Sequence, residues 1–170
     1  MYKYLYLNVD VWKVKRSKIH GAGVFATKQI PKNTDVIEYI GEKVTKKVGD
    51  IRSAQRIKKY LNSNKTGSVY IFELNKKFDI DGSPLYNKAR YINHSCEPNC
   101  EVSIKDNRIW ISSIKKIKKG EELSYDYGYE FDKDDFKDHV CKCGSKYCIG
   151  YIISSDHWNK FISHLTKNVK

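Results

Sequence analysis

The feature that most constrains this chain is the shortness of its β-favouring segments, each bounded by turn-forming residues. Segments of this kind are predicted within 2–14 and at 35–41, 69–74, 78–81, 108–114 and 122–127. Only 45–61 and 156–165 have helix-favouring composition or spacing. Because short strands dominate and the 170 residues contain no repeat or low-complexity linker, we predict a β-rich single domain with a few short helices.

The apolar residues are numerous enough for a core but never form a long run. Hydrophobic residues make up 40% of the chain, which argues against intrinsic disorder. No stretch approaches the ~20 apolar residues that span a bilayer, and the early Asp10 interrupts the apolar run that a signal peptide needs. We therefore expect an intracellular protein without membrane association, with nucleus and cytoplasm both open.

Charge is abundant and unevenly placed. The formal net charge of +12 predicts electrostatic contact with nucleic acid or a nucleosome, although a solvated lysine-rich surface would give the same charge. Residues 121–139 contain eight acidic side chains against two lysines. This acidic strip is either a docking surface for a cationic peptide or an ordinary solvated loop.

Two motifs concentrate polar and aromatic groups. The first, RYINHSCEPNC at 90–100, clusters hydrogen-bonding side chains before a Pro-Asn turn. The second, GEELSYDYGY at 120–129, spaces three tyrosines two residues apart, so that on a strand they would share one face. From the residues alone, the first is a polar turn with metal-binding side chains, and the second is as readily a packing surface.

The ordered set of motifs resembles the SET domain followed by a post-SET cysteine tail. The segments that carry this resemblance are GAGVFA (21–26), YIGE (39–42), RYINHSCEPNC (90–100), GEELSYDYG (120–128) and CKCGSKYC (141–148). It implies a SET domain at 16–130 with a variable insert at about 43–68, an N-terminal strand segment at 1–15, a post-SET zinc tail at 131–152 and a C-terminal helix at 153–170. It also implies knot-like threading of the C-terminal segment of the domain.

The resemblance implies S-adenosylmethionine as methyl donor and S-adenosylhomocysteine as product. Gly21 and Gly23 lack side chains, which lets the backbone approach the methionine part of the cofactor. Asn93 has the amide that would bind the charged amino-acid end, and His94 would lie beside the adenine. The remaining residues of the predicted cofactor set are Lys18, Ala22, Tyr39, Arg90 and Tyr127.

Three tyrosines are the predicted catalytic residues. Tyr127 matches the family's catalytic tyrosine, which orients the amine and stabilises the transition state electrostatically. Tyr125 matches a position where the family has tyrosine or phenylalanine, and a hydroxyl there leaves less room for further methyl groups. This predicts mono- or dimethylation. Tyr70 is predicted to form another wall of the lysine channel.

The cysteines predict a structural zinc site. Cys141, Cys143 and Cys148 supply three ligands where tetrahedral zinc takes four. The family's motif implies Cys96 as the fourth, and His139 is a rival for that place. Cys100 is then left over as a free thiol.

These expectations combine into a protein-lysine N-methyltransferase acting on a histone tail or on a ribosomal or other basic protein. The alternative is a catalytically silent SET fold that acts as a basic binding module for chromatin or nucleic acid. Retention of the cofactor and transfer groups favours the enzyme.

Overall fold

The computed structural model describes residues 11–61 and 69–167. Strands outnumber helices in these residues, which confirms the β-rich class. The strands are β1 (Trp12–Arg16), β2 (Ala22–Ala26), β3 (Asp35–Tyr39), β4 (Glu42–Thr45), β5 (Ile71–Glu73), β6 (Phe78–Asp81), β7 (Asn93–His94), β8 (Cys100–Lys105), β9 (Arg108–Ser113) and β10 (Ser124–Tyr125). They form sheets in the orders β1–β2, β10–β7, β3–β9–β8 and β4–β6–β5.

Two α-helices accompany these sheets. Helix α1 (Lys46–Leu61) matches the predicted helix within one residue, and α2 (Trp158–Lys167) lies two residues later than predicted. Short 3₁₀ helices occur at Lys88–Tyr91, Phe136–Asp138 and Ser155–His157. Within the described ranges, neither α-helix is long and apolar enough to cross a membrane.

The chain divides into two compact units, each built from separate stretches of sequence. The first unit contains the described residues of 11–36, 91–102 and 112–167, and the second those of 37–90 and 103–111. The strands predicted within 2–14 lie partly outside the described residues. Within the described residues, β1 begins at Trp12. The predicted domain boundaries stay predictions.

Antiparallel pairing organises the first unit. β1 pairs with β2, and two isolated antiparallel bridges join Phe25 to Glu122 and Ile30 to Ile117. Backbone hydrogen bonds of 2.9 Å join Ile30 and Ile117 in both directions. Both isoleucines are buried, so this pairing contributes to the core of the unit.

The C-terminal part of the first unit has a small aromatic core of its own. Phe131, Phe136 and Phe161 pack with their ring centroids 5.4–5.5 Å apart, and Ile153 completes the cluster. Phe161 is on α2, which is how the helix is fixed to the preceding chain. Aromatic contacts of this geometry add stabilisation beyond the buried area.

Ion pairs join α1 to the sheet of the second unit. Buried Asp81, at the end of β6, accepts hydrogen bonds from Arg52 and Arg56 on the helix at 2.8–3.0 Å. Lys46 binds Asp79, on the same strand, at 2.7 Å. Burial opposes ionisation of Asp81, but the two guanidinium groups outweigh it and hold its pKa well below the ordinary range. The helix is therefore held by charges that face inward.

Candidate active site and cysteine cluster

The two strongest sequence motifs lie side by side in the first unit. Parallel pairing of β7 with β10 places Ser124 beside Asn93 and Tyr125 beside His94. The buried Asn99 supports this pairing, because its side chain accepts from the Ser124 N–H at 2.9 Å and donates to the Glu122 carbonyl at 2.8 Å. The pairing is a structural fact, whereas the knot-like threading stays a prediction.

Asn93 joins this pair of strands to the glycine-containing turn. Its amide nitrogen donates to the Ala22 carbonyl at 3.0 Å, to the Glu122 carboxylate at 2.7 Å and, more weakly, to the His20 carbonyl at 3.3 Å. Gly21 has a φ of +48°, in the left-handed region that glycine adopts without steric cost. Asn93, Gly21 and Ala22 are thus brought together as predicted site residues.

Glu122 is a site residue that the sequence interpretation missed. Its carboxylate accepts from the Ser17 hydroxyl at 2.8 and 2.9 Å, in addition to Asn93. It also fills the space beside Gly23, where a Cβ would lie 2.8 Å from the Glu122 Cδ and closer still to Oε1. The missing side chain of Gly23 therefore makes room for a carboxylate of the same chain. In the sequence, Glu122 is one of several acidic residues in the strip and has no distinguishing mark.

Tyr127 lies against His94 and Tyr125. Its backbone N–H donates to His94 Nδ1 at 3.2 Å, and its hydroxyl donates to the Ile92 carbonyl at 3.0 Å. Its ring centroid is 5.4 Å from that of His94 and 5.0 Å from that of Tyr125. Burial lowers the pKa of His94, against a weaker opposing effect of the Asp126 charge.

The tyrosine stripe differs from the sequence interpretation. β10 ends at Tyr125, so the three tyrosines do not share one strand face. The rings instead follow one another, with Tyr127 and Tyr129 at 5.9 Å between centroids. Burial raises the pKa of Tyr129.

Four other predicted residues are divided between the two units. Tyr39, Tyr70 and Arg90 are neighbours within the second unit: the Tyr39 hydroxyl donates to the Tyr70 carbonyl at 3.1 Å, and the Arg90 guanidinium lies 4.1 Å from the Tyr70 ring centroid. Arg90 also donates to the Ser83 carbonyl. Lys18 is exposed in the first unit. Their assigned roles stay predictions.

The structure brings the four predicted metal ligands together. All four sulfur atoms lie within 4.8 Å of one another, with Cys96 Sγ 3.8 Å from Cys141 Sγ and 4.0 Å from Cys148 Sγ. Four sulfurs around a tetrahedral zinc at ~2.3 Å are separated by about 3.8 Å, whereas disulfide sulfurs lie ~2.05 Å apart. The spacing fits the metal and not a disulfide.

The surroundings of the sulfurs also suit metal-bound thiolates. The Cys143 N–H donates to Cys141 Sγ and the Gly150 N–H to Cys148 Sγ, each at 3.4 Å. Burial raises the pKa of Cys96 to about 12. At Cys143, burial acts in the same direction but is outweighed by backbone hydrogen bonds from Cys96 and Ser145 and by neighbouring thiols, which lower its pKa to about 6. Cysteine binds metal as the thiolate, which a bound cation would favour at all four positions.

The two remaining candidates lie outside this group. His139, the rival fourth ligand, packs its ring against Tyr129 at 5.3 Å and lies 3.8 Å from the Asp135 carboxylate. Cys100 is fully buried, which raises its pKa to about 12. Its thiol is free, as expected for the cysteine left over.

Comparison with known proteins identifies the family. The SET domain matches residues 21–128. Histone-lysine N-methyltransferase trr of Drosophila melanogaster is 42% identical over 137 residues, covering 78% of this chain and 5% of the relative. Histone-lysine N-methyltransferase, H3 lysine-4 specific, of Aspergillus oryzae is 40% identical over 141 residues, covering 81% and 11%. Human histone-lysine N-methyltransferase 2D is 40% identical over 145 residues, covering 81% and 2%.

The chain therefore belongs to the SET domain family, as its motifs predict. The four-cysteine cluster is consistent with a post-SET zinc site. The chain spans between 2% and 11% of the length of these three relatives.

Proposed function

We propose that this protein is an S-adenosylmethionine-dependent protein-lysine N-methyltransferase. The observation that carries the proposal is the position of Tyr127, beside Tyr125 and His94 and on the same pair of motifs as Asn93. The names of the relatives support the same activity. We further propose that the protein acts inside the cell.

The residues of the first unit fit the cofactor. The Asn93 amide group donates to Ala22 and Glu122, which leaves its Oδ1 to accept from the ammonium group of an amino acid. A Cβ built on Gly21 would meet nothing within 4 Å, so the turn is open on that side. When bound there, S-adenosylmethionine supplies a methyl group already activated on a sulfonium.

The chain's own groups then have a limited task. A lysine amine has an ordinary pKa of ~10.4 and must lose its proton to attack. Aromatic surroundings around the amine disfavour the charged form. The Tyr127 hydroxyl hydrogen is directed to the Ile92 carbonyl, so towards a substrate amine the oxygen would act as an acceptor. It thereby orients the amine and stabilises positive charge in the transition state.

We propose mono- and dimethylation as the main products. Tyr125 is 5% exposed and packs against Tyr127 at 5.0 Å between centroids, so its hydroxyl restricts the space for a methylated amine. We propose a histone tail as the acceptor, because similar proteins are named H3 lysine-4 specific. A ribosomal or other basic protein is the competing acceptor.

The test is methyl transfer from labelled S-adenosylmethionine to histone H3, nucleosomes and ribosomal proteins, followed by mass spectrometry of the acceptor residue. We expect label on one lysine of H3, reduced about 100-fold by Tyr127→Phe. We also expect Tyr125→Phe to shift the product towards trimethyl-lysine. Abundant trimethyl-lysine from the wild type would contradict the role of Tyr125. No label on any acceptor, from folded and zinc-loaded protein, would favour the silent binding module.

A basic surface of the first unit suggests contact with nucleic acid. The antiparallel bridge between Ile30 and Ile117 brings together two lysine-containing segments, one with Lys28 and Lys32 and the other with Lys115 and Lys119. These lysines and the two between them, Lys116 and Lys118, are all exposed. A surface with several exposed lysines attracts phosphate groups electrostatically. We propose that this lysine patch (28, 32, 115, 116, 118 and 119) binds the backbone of nucleosomal DNA.

Salt dependence of binding to a DNA duplex tests this surface. The slope of log affinity against log salt is negative for binding to DNA. Replacing residues 115, 116, 118 and 119 by glutamine should make this slope less negative, by about 0.9 for each phosphate group that a lysine no longer neutralises. Lys58→Gln with Lys59→Gln, on α1, is the control for removal of charge elsewhere. Equal slopes for the wild type and the patch variant would contradict the proposal.

A further inference from the structure

The imidazole of His94 contacts both the tyrosine motif and the cysteine cluster. The side chain is 3% exposed. Nδ1 accepts the backbone N–H of Tyr127 at 3.2 Å, and Nε2 lies 3.6 Å from Cys96 Sγ. One ring therefore connects a metal-ligand position to the backbone of the predicted catalytic residue.

These contacts define the tautomer. Because the Tyr127 N–H donates to Nδ1, that nitrogen has no hydrogen of its own. A neutral imidazole then has its hydrogen on Nε2. The contact with Cys96 is therefore an N–H···S hydrogen bond, with the imidazole as donor.

The cluster needs donors of this kind. Four thiolates on one divalent ion retain two negative charges, and hydrogen bonds from neighbouring groups stabilise them. Cys141 and Cys148 each accept a hydrogen bond from a backbone N–H. Cys96 accepts a backbone hydrogen bond from Ile149. His94 adds a rigid side-chain donor to Cys96, the ligand that comes from the body of the first unit, 45 residues before Cys141.

We propose that His94 is a positioning residue for both centres. Through Nε2–H it holds the Cys96 thiolate in place as a metal ligand, and through Nδ1 it holds the backbone at Tyr127. The metal side of this proposal is independent of methyl transfer, whereas the Tyr127 side rests on the proposed function.

Two substitutions separate the two roles. A glutamine amide reaches about as far as Nε2, so His94→Gln keeps a donor for Cys96 but loses the acceptor for Tyr127. An asparagine amide reaches about as far as Nδ1, so His94→Asn keeps the acceptor and loses the donor. His139→Asn, two residues before Cys141 and outside the sulfur group, is the matched control.

The primary measurement is zinc affinity by chelator competition in the full chain. We expect His94→Asn to bind zinc about 10–100-fold more weakly than the wild type, and His94→Gln and His139→Asn to stay within about threefold of it. At saturating zinc, His94→Gln should lose more methyl-transfer rate than His94→Asn. Wild-type zinc affinity in His94→Asn would overturn the proposal. Equal losses in both His94 variants would also overturn it, because they would indicate packing alone.

Nitrogen-15 NMR of the cadmium-loaded wild type tests the same contact without a substitution. We expect the hydrogen of the His94 ring on Nε2 and a scalar coupling from ¹¹³Cd to that hydrogen across Cys96 Sγ. A hydrogen on Nδ1 would overturn the proposal even if both variants failed to fold. Because neither metal measurement involves methyl transfer, a failure of the proposed enzyme activity would be seen separately.

Discussion

Gly23→Ala should destabilise the protein through Glu122 and not through the backbone. The φ of Gly23 lies outside the left-handed region, so alanine meets no strain there. The new Cβ, however, would lie 2.8 Å from the Glu122 Cδ and 3.0 Å from the Ser17 Cβ. The carboxylate would have to move away from Asn93 and Ser17, which it now contacts at 2.7–2.9 Å.

The expected cost follows from those hydrogen bonds. A hydrogen bond to a charged group contributes ~1.5–3 kcal/mol, and the lower end applies because Glu122 is only half-buried. Removal of two such bonds costs about 3 kcal/mol. Replacement of glycine by alanine returns up to ~1 kcal/mol by restricting the unfolded chain. Gly23→Ala should therefore lower the free energy of unfolding by about 2 kcal/mol.

A double-mutant cycle separates this mechanism from others. Urea unfolding of zinc-saturated wild type, Gly23→Ala, Glu122→Ala and the double variant gives the coupling energy. In the Glu122→Ala background, Gly23→Ala should cost less, because only the 3.0 Å contact with the Ser17 Cβ remains. Gly120→Ala, at a φ of +89° with nothing within 4 Å of its Cβ, is the control. It should cost ~1–2 kcal/mol in both backgrounds, because only backbone strain acts there. Equal costs of Gly23→Ala in the two backgrounds would refute the reasoning.

Three further perturbations test the elements around the site. Asp81→Asn should cost about 3 kcal/mol at pH 7, because Arg56 loses its buried anion while Arg52 keeps Glu42. The pKa of Asp81 is depressed in the folded protein. The difference in unfolding free energy between variant and wild type should therefore persist above pH ~4, the ordinary pKa of an Asp carboxyl, and shrink as the pH falls below that value. Phe161→Ala should cost ~3–5 kcal/mol by urea unfolding, because the ring is 2% exposed. A strong zinc chelator should speed amide hydrogen exchange at 141–150 while α2 stays protected; equal acceleration in both would contradict separate anchoring.

Local patterns were sufficient for the helices and for several strands. Helix α1 and strand β6 have residues whose spacing and β-propensity agree with their final state, so their bounds were predicted closely. Strand β8 was missed, although Asp106 and Asn107 follow it with φ values of 49° and 57°. Two consecutive positive φ angles are typical of a type I′ hairpin turn, and an Asp-Asn pair between β-favouring runs was the available signal.

Some residues of the site could likewise be predicted from neighbouring sequence, whereas others depend on contacts between residues far apart in the sequence. The spacing of Cys141, Cys143 and Cys148 predicts three ligands, but the choice of Cys96 came from the family resemblance. Glu122 and Asp81 are carboxylates that the fold turns inward, towards Asn93 and towards the arginines of α1. A single sequence does not distinguish such a carboxylate from a solvated one, because the partners named here lie between 25 and 105 residues away in the sequence.

The C-terminal segment is held by two kinds of interaction because its composition differs along its length. The loop at 141–150 contains no buried large hydrophobic side chain, so burial of apolar surface does little to order it. A metal ion bound by the four sulfur atoms would supply the missing constraint. The neighbouring aromatic cluster holds α2 without any sulfur. Since Cys96 is in contact with His94, and His94 with the backbone of Tyr127, an ion bound at the loop would also restrain the tyrosine that we propose takes part in methyl transfer.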